Sequence, residues 1–338
     1  MRRISLLVCA VFLTALLIPV AGAHAKNPPA DPRQKDVGQS SADVRSYWTK
    51  KRMRSATPLK LKLKGMPVTS AASAPVSARP GSVDPVVPRR AGANTNTTRS
   101  GGVLQMSADY AYAFDRYEVD PPYTVYPKST HGKVFFTDPS TGGNYVCSGT
   151  ALSSENRSVV WTAGHCVNGG GGPWYSNWMF APARRDGSNP YGTFIALELW
   201  STTGWASNGD ISYDLGAAVV NASGGSLLTD VVGGRGITWN ASRSQSYESH
   251  GYPAAPPFGG ERQIVCESPW GGDDFPGAGP ATMRIDCDMT GGSSGGGWLV
   301  VGNVHSVNSY KYTFDPNSMY GPYHGQAAAD LYNAVRNR

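Results

Sequence analysis

Residues 107–338 consist of short apolar runs separated by turn residues. Runs rich in β-branched and aromatic side chains, such as GKVFFT, SVVWTAG and GWLVVG, alternate with clusters of Gly, Pro, Asn and Asp. This pattern is typical of antiparallel barrels and sandwiches, whereas βαβ units would need helical segments between the strands. Only the tail GQAAADLYNAVRNR has a helical pattern, with Ala327, Leu331 and Val335 on one stripe. The sequence therefore predicts an all-β fold with one C-terminal helix.

Charge and aromatic content divide the chain into two parts. Residues 1–106 hold 17 Lys and Arg and 4 acidic residues, whereas residues 107–338 hold 13 basic and 20 acidic residues. Between 26 and 106 the aromatic residues are Tyr47 and Trp48, and 32 of the chain's 35 aromatic residues lie in the later part. A segment so poor in aromatic residues cannot bury a core of its own, so disorder is its default state. We expect a largely disordered basic pro-segment over 26–106 and a folded domain over 107–338.

The first 25 residues have the features of a secretory signal peptide. Two arginines precede an apolar run, and a small-x-small sequence ends at Ala25. The run is shorter than the roughly 20 residues that a membrane span needs. We therefore expect cleavage after Ala25, a secreted extracellular protein, and no stable membrane association.

The run KKRMRSATPLKLKLKG gives the pro-segment much of its charge. A basic run of this kind can bind nucleic acid. Here it precedes an acidic domain, so we expect it to shield or assist that domain electrostatically and not to bind nucleic acid. Its removal is expected near Arg90, Arg99 or Arg116.

Four cysteines remain after the signal peptide, and in an oxidising compartment an even set is expected to form disulfides. Three pairings are open. We favour Cys147 with Cys166 and Cys266 with Cys287, because each pair closes a local loop around a candidate catalytic segment. No pair has the short CxxC spacing of zinc knuckles, so a zinc site is disfavoured.

Three further segments carry residues for nucleophilic catalysis. A serine hydroxyl attacks well only when an imidazole takes its proton and a carboxylate orients that imidazole. VVWTAGHCV presents His165 after an apolar strand, and NGDISYDLGAAVV presents Asp214 at the mouth of another. Asp210 is the alternative acid, but it lies among turn residues. TGGSSGGGW offers Ser293 and Ser294 in a glycine turn.

TAGHC, YDLGAAVV and GGSSGGGW, in the order His, Asp, Ser, resemble the trypsin-like serine proteases of the chymotrypsin fold, including the bacterial secreted V8-like glutamyl endopeptidases. The resemblance covers roughly residues 120–338. It implies two packed antiparallel six-stranded β-barrels, with His165, Asp214 and Ser294 as the catalytic triad. It also implies an oxyanion hole made by the backbone N–H groups of Gly292 and Ser294.

The resemblance gives conflicting indications about the substrate pocket. Ser306 matches the serine that contacts the catalytic aspartate, and His305 matches a pocket histidine of the Glu-specific members. Asp288 instead lies six residues before Ser294, at the same distance from the nucleophile as the pocket aspartate of the members that cleave after Arg or Lys. Thr290 lies in the same pocket segment. We lean to cleavage after Glu or Asp on the strength of His305.

The implied activity is hydrolysis of polypeptides by a monomer that needs no cofactor, and the sequence gives no indication of structural calcium. Two alternatives use the same residues. A lipase or esterase of the α/β-hydrolase fold needs its acid and histidine after the serine, and only 44 residues follow Ser294. A catalytically inert binding module would not need the complete set of His165, Asp214, Ser294 and the glycine turn. His131, His250 and His324 have no carboxylate motif beside them and are expected at the surface or in turns.

Overall fold

The computed structural model describes residues 31–59, 61–63, 78–89 and 114–338. The predicted signal peptide and two candidate cleavage positions, Arg90 and Arg99, lie outside these residues. The strands, in chain order, are β1 (Arg33–Asp36), β2 (Thr57–Pro58), β3 (Leu61–Leu63), β4 (Gly81–Val83), β5 (Asp115–Glu118), β6 (His131–Thr137), β7 (Asn144–Leu152), β8 (Val159–Thr162), β9 (Ser176–Pro182), β10 (Phe194–Ser201), β11 (Gly216–Val220), β12 (Gly236–Trp239), β13 (Ser246–Gly251), β14 (Ile264–Asp274), β15 (Thr282–Asp286), β16 (Gly297–Val300), β17 (Asn303–Val307), β18 (Tyr310–Tyr312) and β19 (Ser318–Gly321).

Helices are few and short in this part of the chain. They are α1 (Ser41–Tyr47), α2 (Lys50–Ser55), α3 (Thr203–Asn208), α4 (Leu228–Val232) and α5 (Gln326–Val335). Single 3₁₀ turns occur at Lys128–Thr130, Gly164–Cys166 and Ile211–Tyr213. None of the helices in the described ranges is long and apolar enough to cross a membrane.

Six strands form a closed antiparallel barrel. The hydrogen-bonded order is β6, β7, β8, β11, β10 and β9, and β9 pairs back to β6. Its interior is filled by large apolar side chains without solvent exposure, among them Phe136, Trp178 and Phe180. Burying each such side chain contributes about 1.5–3 kcal/mol relative to leaving it in water. The barrel therefore provides a rigid frame for the loops at its rim.

The second sheet has the order β3, β18, β19, β15, β14, β13, β16, β17, β12 and β4, with β5 paired to β14. Most of these pairs are antiparallel, but β12 pairs with β17 in parallel, as β3 does with β18. A second core lies under this sheet around Tyr247, Met283 and Trp298. The predicted all-β, chymotrypsin-like fold is confirmed.

The predicted C-terminal helix is present as α5 and packs into the first core. Its buried residues are Ala328, Ala329, Leu331, Tyr332 and Val335. Of the predicted stripe, Leu331 and Val335 are fully buried, whereas Ala327 is half-buried and its neighbour Ala328 is fully buried. The Tyr332 hydroxyl donates to the Ser153 carbonyl at 2.8 Å, which fixes the helix against the end of β7.

Part of the predicted pro-segment is ordered against the folded domain. Val44 and Trp48 are buried in a cluster with Phe135 and Ile195 of the barrel. The Trp48 indole donates to the Asn177 carbonyl at 2.6 Å. The segment thus uses apolar surface that the barrel supplies, which is why a composition too poor for an independent core still gives local order.

Three histidines that the sequence analysis placed at the surface or in turns are buried, and that expectation is wrong. The rings of His131 and His250 stack with centroids 3.9 Å apart. His131 lies on β6 of the barrel and His250 on β13 of the second sheet. His324 lies between Trp161 and Thr238, within hydrogen-bonding distance of both. These side chains fill the space between the two sheets.

Candidate active site

His165 and Asp214 meet at the ends of two neighbouring strands. His165 lies in the 3₁₀ turn after β8, and Asp214 directly follows the 3₁₀ turn before β11. Because β8 and β11 pair through Thr162 and Gly216, the two side chains emerge at one edge. His165 Nδ1 lies 2.7 Å from Asp214 Oδ2, and the His165 backbone N–H donates to Oδ1 at 2.7 Å. With Nδ1 donating, Nε2 is left as the proton acceptor.

The Asp214 carboxylate is shielded from solvent and further hydrogen-bonded. Its exposed fraction is 0%, and the Ser309 hydroxyl donates to Oδ2. The Trp205 ring meets the His165 ring edge-on with centroids 6.2 Å apart. A buried charge is tolerated when donors surround it, so this environment can hold an anion that orients the imidazole.

The glycine turn is held in one conformation by local hydrogen bonds. The Ser293 hydroxyl and the Ser293 backbone N–H both donate to the Thr290 carbonyl, and Gly296 N–H donates to the Ser293 carbonyl. Gly292 has a φ of +98°, a conformation that side-chain-bearing residues rarely adopt. A Cβ on Gly295 would lie 2.0 Å from Thr162 Oγ1. The turn is therefore rigid, with the Ser293 hydroxyl engaged.

Ser294 is fixed beside the histidine turn through β7. Its carbonyl accepts from Ser148 N–H at 2.7 Å, and neighbouring Cys147 is disulfide-bonded to Cys166. His165 Nε2 is buried and makes no hydrogen bond within the described ranges. The expected Ser294–His165 hydrogen bond is thus not formed in this structure, although Nε2 is free to accept it. Catalytic hydrogen bonds often tighten only when substrate is bound.

The Gly292 backbone N–H points into the cleft. It donates at 3.0 Å to the carbonyl of Leu59, which lies in the predicted pro-segment. A donor that binds a carbonyl oxygen next to Ser294 has the placement expected of an oxyanion-hole group.

Both favoured disulfide pairings are confirmed. Cys147 is bonded to Cys166 and Cys266 to Cys287. Among the described residues, the one cluster with the spacing of a metal site is Cys147, His165 and Cys166. Sulfur atoms joined in a disulfide are not the thiolates that metals bind. This cluster is therefore the disulfide that joins β7 to the histidine turn, with His165 beside it.

A cavity of about 460 Å³ lies beside Ser294. Asp288 and Thr290 line it, as the sequence analysis expected, together with residues of β18. Asp288 forms an ion pair with Arg116 of β5. Lys311 lines the same cavity and donates from Nζ to the Cys287 carbonyl at 2.7 Å and to the Pro316 carbonyl at 2.6 Å.

The expected roles of Ser306 and His305 are wrong. Ser306 lies on β17 and donates to the Pro322 carbonyl at 2.8 Å, whereas Ser309 contacts Asp214. His305 does not line the cavity and instead approaches Tyr247, with ring centroids 6.4 Å apart. Burial lowers the pKa of His305 to about 4. Ser309, which contacts Asp214, follows the end of β17, whereas Ser306 lies three positions earlier, within the strand.

Arg116, the third candidate cleavage position, lies within β5 and pairs with Cys266 of β14. Cutting the chain there would require this strand to leave the sheet. Among the described residues, Arg116 is the candidate cleavage position whose backbone is paired with a neighbouring strand.

Comparison with known proteins places the chain among proteases, although no family model matches it. It is 34% identical over 139 residues to an extracellular metalloprotease of Bacillus subtilis (strain 168), spanning 40% of this chain and 42% of that protein. Protease Anisep from Arthrobacter nicotinovorans is 44% identical, with 62% of this chain and 96% of that chain covered and a TM-score of 0.59.

Two further solved structures have the same fold. The thermostable serine protease AL20 from an extremophilic microorganism is 40% identical, with 62% of this chain and 98% of that chain covered and a TM-score of 0.58. A Glu endopeptidase is 18% identical, with 66% of this chain and 97% of that chain covered and a TM-score of 0.53. At this identity the likeness shows the fold alone. The fold, the His, Asp and Ser motifs and these likenesses lead to one conclusion: the chain belongs to the trypsin-like serine proteases of the chymotrypsin fold.

Proposed function

We propose that the chain is a secreted serine endopeptidase that cleaves polypeptides through an acyl-enzyme. The observation that carries this proposal is the buried His165–Asp214 pair beside a rigid turn whose Gly292 N–H already binds a peptide carbonyl. The likeness to a solved structure titled serine protease, at 40% identity, supports it.

In the proposed mechanism the Ser294 hydroxyl oxygen attacks the substrate carbonyl, and His165 Nε2 takes the hydroxyl proton. Asp214 keeps Nδ1 protonated and stabilises the imidazolium. The backbone N–H groups of Gly292 and Ser294 hold the oxyanion. His165 then returns the proton to the leaving amine, and water releases the acyl group by the same steps in reverse.

The metalloprotease name of one relative does not transfer readily to this site. Metal-dependent hydrolysis needs several nitrogen, oxygen or thiolate ligands around one ion. Within the described residues, the candidate cluster has two of its three members in a disulfide. We propose that the chain works without a cofactor.

The cavity beside Ser294 is proposed to bind the side chain before the cut, with a preference for Glu or Asp. His305 no longer supports that preference, because it lies outside the cavity. Support comes instead from the pairing of the cavity's aspartate: the Asp288 charge is compensated by Arg116. A free aspartate would have favoured Arg or Lys, and this aspartate is paired.

Secretion, a removable pro-segment and a monomeric state complete the proposal. The name extracellular on one relative and the two disulfides support export. The partners we propose are polypeptide substrates and the chain's own pro-segment, and not nucleic acid or membrane.

A fluorophosphonate probe and a random peptide library together test this function. We expect covalent labelling of the processed protein at Ser294, and loss of both labelling and peptide cleavage in Ser294→Ala. Ser293→Ala is the matched control and should still be labelled at residue 294. An unlabelled processed protein with native thermal unfolding would support the inert binding module, whereas hydrolysis of esters without peptides would support an esterase.

A further inference from the structure

Two short stretches of the pro-segment, residues 57–59 and 61–63, cross the proposed catalytic cleft; we name them the crossing segment. At one end β2 pairs with β7, and Leu59 N–H donates to the Val146 carbonyl at 3.1 Å. At the centre the Leu59 carbonyl accepts from Gly292 N–H at 3.0 Å. At the other end β3 pairs with β18, where Thr313 N–H donates to the Leu63 carbonyl at 3.1 Å. The crossing segment therefore uses backbone groups on both sides of Ser294.

The direction of the crossing segment is set by its strand register. β3 runs parallel to β18, with Leu61 opposite Tyr310 and Leu63 opposite Tyr312. Tyr310 is adjacent to Ser309, which contacts Asp214, so β18 runs away from the catalytic groups. The pro-segment consequently passes the β7 side first, reaches Gly292, and then leaves along β18.

A cleavable substrate would run the other way under the proposed function, on which this inference rests. Its residue before the cut fills the cavity beside β18. Its leaving amine must lie on the β7 side, because Cys147 of β7 is bonded to Cys166, next to His165, which returns the proton. The substrate chain thus approaches Ser294 antiparallel to β18. The pro-segment has the opposite polarity.

We infer that the crossing segment is a built-in inhibitor that occupies the catalytic cleft in reversed chain direction. Its Leu59 carbonyl takes the Gly292 donor that a substrate carbonyl would need. The next described stretch, Leu61–Leu63, lies on the cavity side, and a leaving amine on that side would not receive the proton of His165. The segment blocks the site without being cut there.

Apolar contacts on both sides hold the crossing segment in place. Leu61 lines the cavity, and Leu61 and Leu63 pack against Ile211, Tyr310 and Tyr312. Upstream, the buried Trp48 attaches the same chain to the barrel. Two attachments on one chain raise the effective concentration of the segment between them. Removal of the pro-segment by cleavage elsewhere would lower the occupancy.

The first test measures fluorophosphonate labelling of the unprocessed full chain. The double variant Leu61→Glu/Leu63→Glu should be labelled about ten-fold faster or more than the parent chain, because charged side chains leave the apolar sites and open the cleft. Leu197→Glu is the matched control, since Leu197 is 49% exposed on the barrel, and its labelling rate should equal that of the parent. Equal rates in the parent and the double variant would overturn the inference.

The second test concerns chain direction and uses a fluorescent peptide of residues 57–63. With the processed protein we expect saturable binding by anisotropy, competitive inhibition, and a peptide that stays intact. A peptide cut promptly within this sequence binds as an ordinary substrate, and one that does not bind is not the inhibitor; either result overturns the inference. Binding to Ser294→Ala is measured as well, because it does not require turnover. Absent labelling of the processed parent would reject the proposed function, while intact binding to Ser294→Ala would still show that the cleft accepts the segment.

Discussion

We propose Ser309 as a positioning residue, a role for which the sequence motifs indicated Ser306. It donates to Asp214 Oδ2, the same oxygen that faces His165 Nδ1. Removing this donor leaves a buried carboxylate with one fewer partner, and hydrogen bonds to charged groups contribute about 1.5–3 kcal/mol. The imidazole would then be held less firmly in the orientation that catalysis needs.

For Ser309→Ala we predict a fall of about 10- to 100-fold in kcat/KM toward a peptide substrate, with most of the loss in kcat. Ser306→Ala is the matched control, because Ser306 contacts the Pro322 carbonyl and not Asp214. Steady-state kinetics on the processed forms check this, together with the pH profile of kcat. Equal losses in the two variants, or a loss confined to KM, would contradict a positioning role.

The residues of the proposed triad could be predicted from sequence because each lies in a short local pattern. His165 follows an apolar strand, Asp214 precedes one, and Ser294 lies in a glycine turn whose geometry needs Gly292. The contact of Ser309 depends on where β17 ends and how the chain then crosses to β18. That information is tertiary, and the serine in the middle of NSY carries no local signal strong enough to distinguish it from Ser306.

At the level of elements, the two disulfides close loops of similar length in different places. Cys147 and Cys166 are separated by 19 residues, and Cys266 and Cys287 by 21. The first bond joins β7 to the histidine turn. The second joins β14 to the residue before Asp288 at the cavity. Their contributions to stability should therefore be alike, and their effects on catalysis should differ.

We predict that Cys147→Ser/Cys166→Ser and Cys266→Ser/Cys287→Ser each lower the free energy of unfolding by about 3 kcal/mol, as loops near 20 residues suggest. The first pair should lower kcat through a looser His165, and the second should raise KM through a looser Asp288 segment. Urea unfolding and peptide kinetics on the same samples separate the two quantities. A similar kinetic effect for both pairs would show that the bonds act only through overall stability.

The elements were predicted to different degrees for physical reasons. Strand content and the terminal helix follow from local apolar periods, so both were expected. Ordered structure over residues 41–55 was not expected, because α1 and α2 are stabilised by contacts with the barrel and not by their own composition. The order of a segment whose apolar residues pack into the core of a neighbouring domain cannot be predicted from the sequence of that segment alone.

At the scale of the whole molecule, the buried histidines connect the barrel to the second sheet in their neutral form. His324 Nε2 lies 3.3 Å from the Trp161 indole nitrogen, which donates to it, and Nδ1 lies 3.2 Å from the Thr238 carbonyl, to which it donates. One nitrogen accepts and the other donates, as only a neutral imidazole can. Burial lowers the pKa of His324 to about 3. Burial likewise lowers the pKa values of His131 and His250.

These shifts predict a loss of stability in mild acid. The pKa of His324 lies below the value of about 6.5 that an unfolded chain gives it, so below that pH the unfolded state binds a proton that the folded state does not. The stabilisation is complete above about pH 6.5 and is lost as the pH falls from there toward 3, at up to about 1.4 kcal/mol per pH unit for one histidine.

Urea unfolding at pH 7, 6 and 5 compares the parent chain with His324→Gln, whose amide can both donate and accept but does not titrate. On acidification the free energy of unfolding of His324→Gln should fall less than that of the parent chain, by about the amount that one titrating histidine contributes. His305→Gln is a useful second variant, since burial also lowers the pKa of His305, to about 4, and a charge on His305 would lower the pKa of His324 further. Identical pH slopes in all three proteins would mean that the packing between the two sheets does not depend on neutral imidazoles. Acid sensitivity would then have to come from the carboxylates that the ion pairs hold.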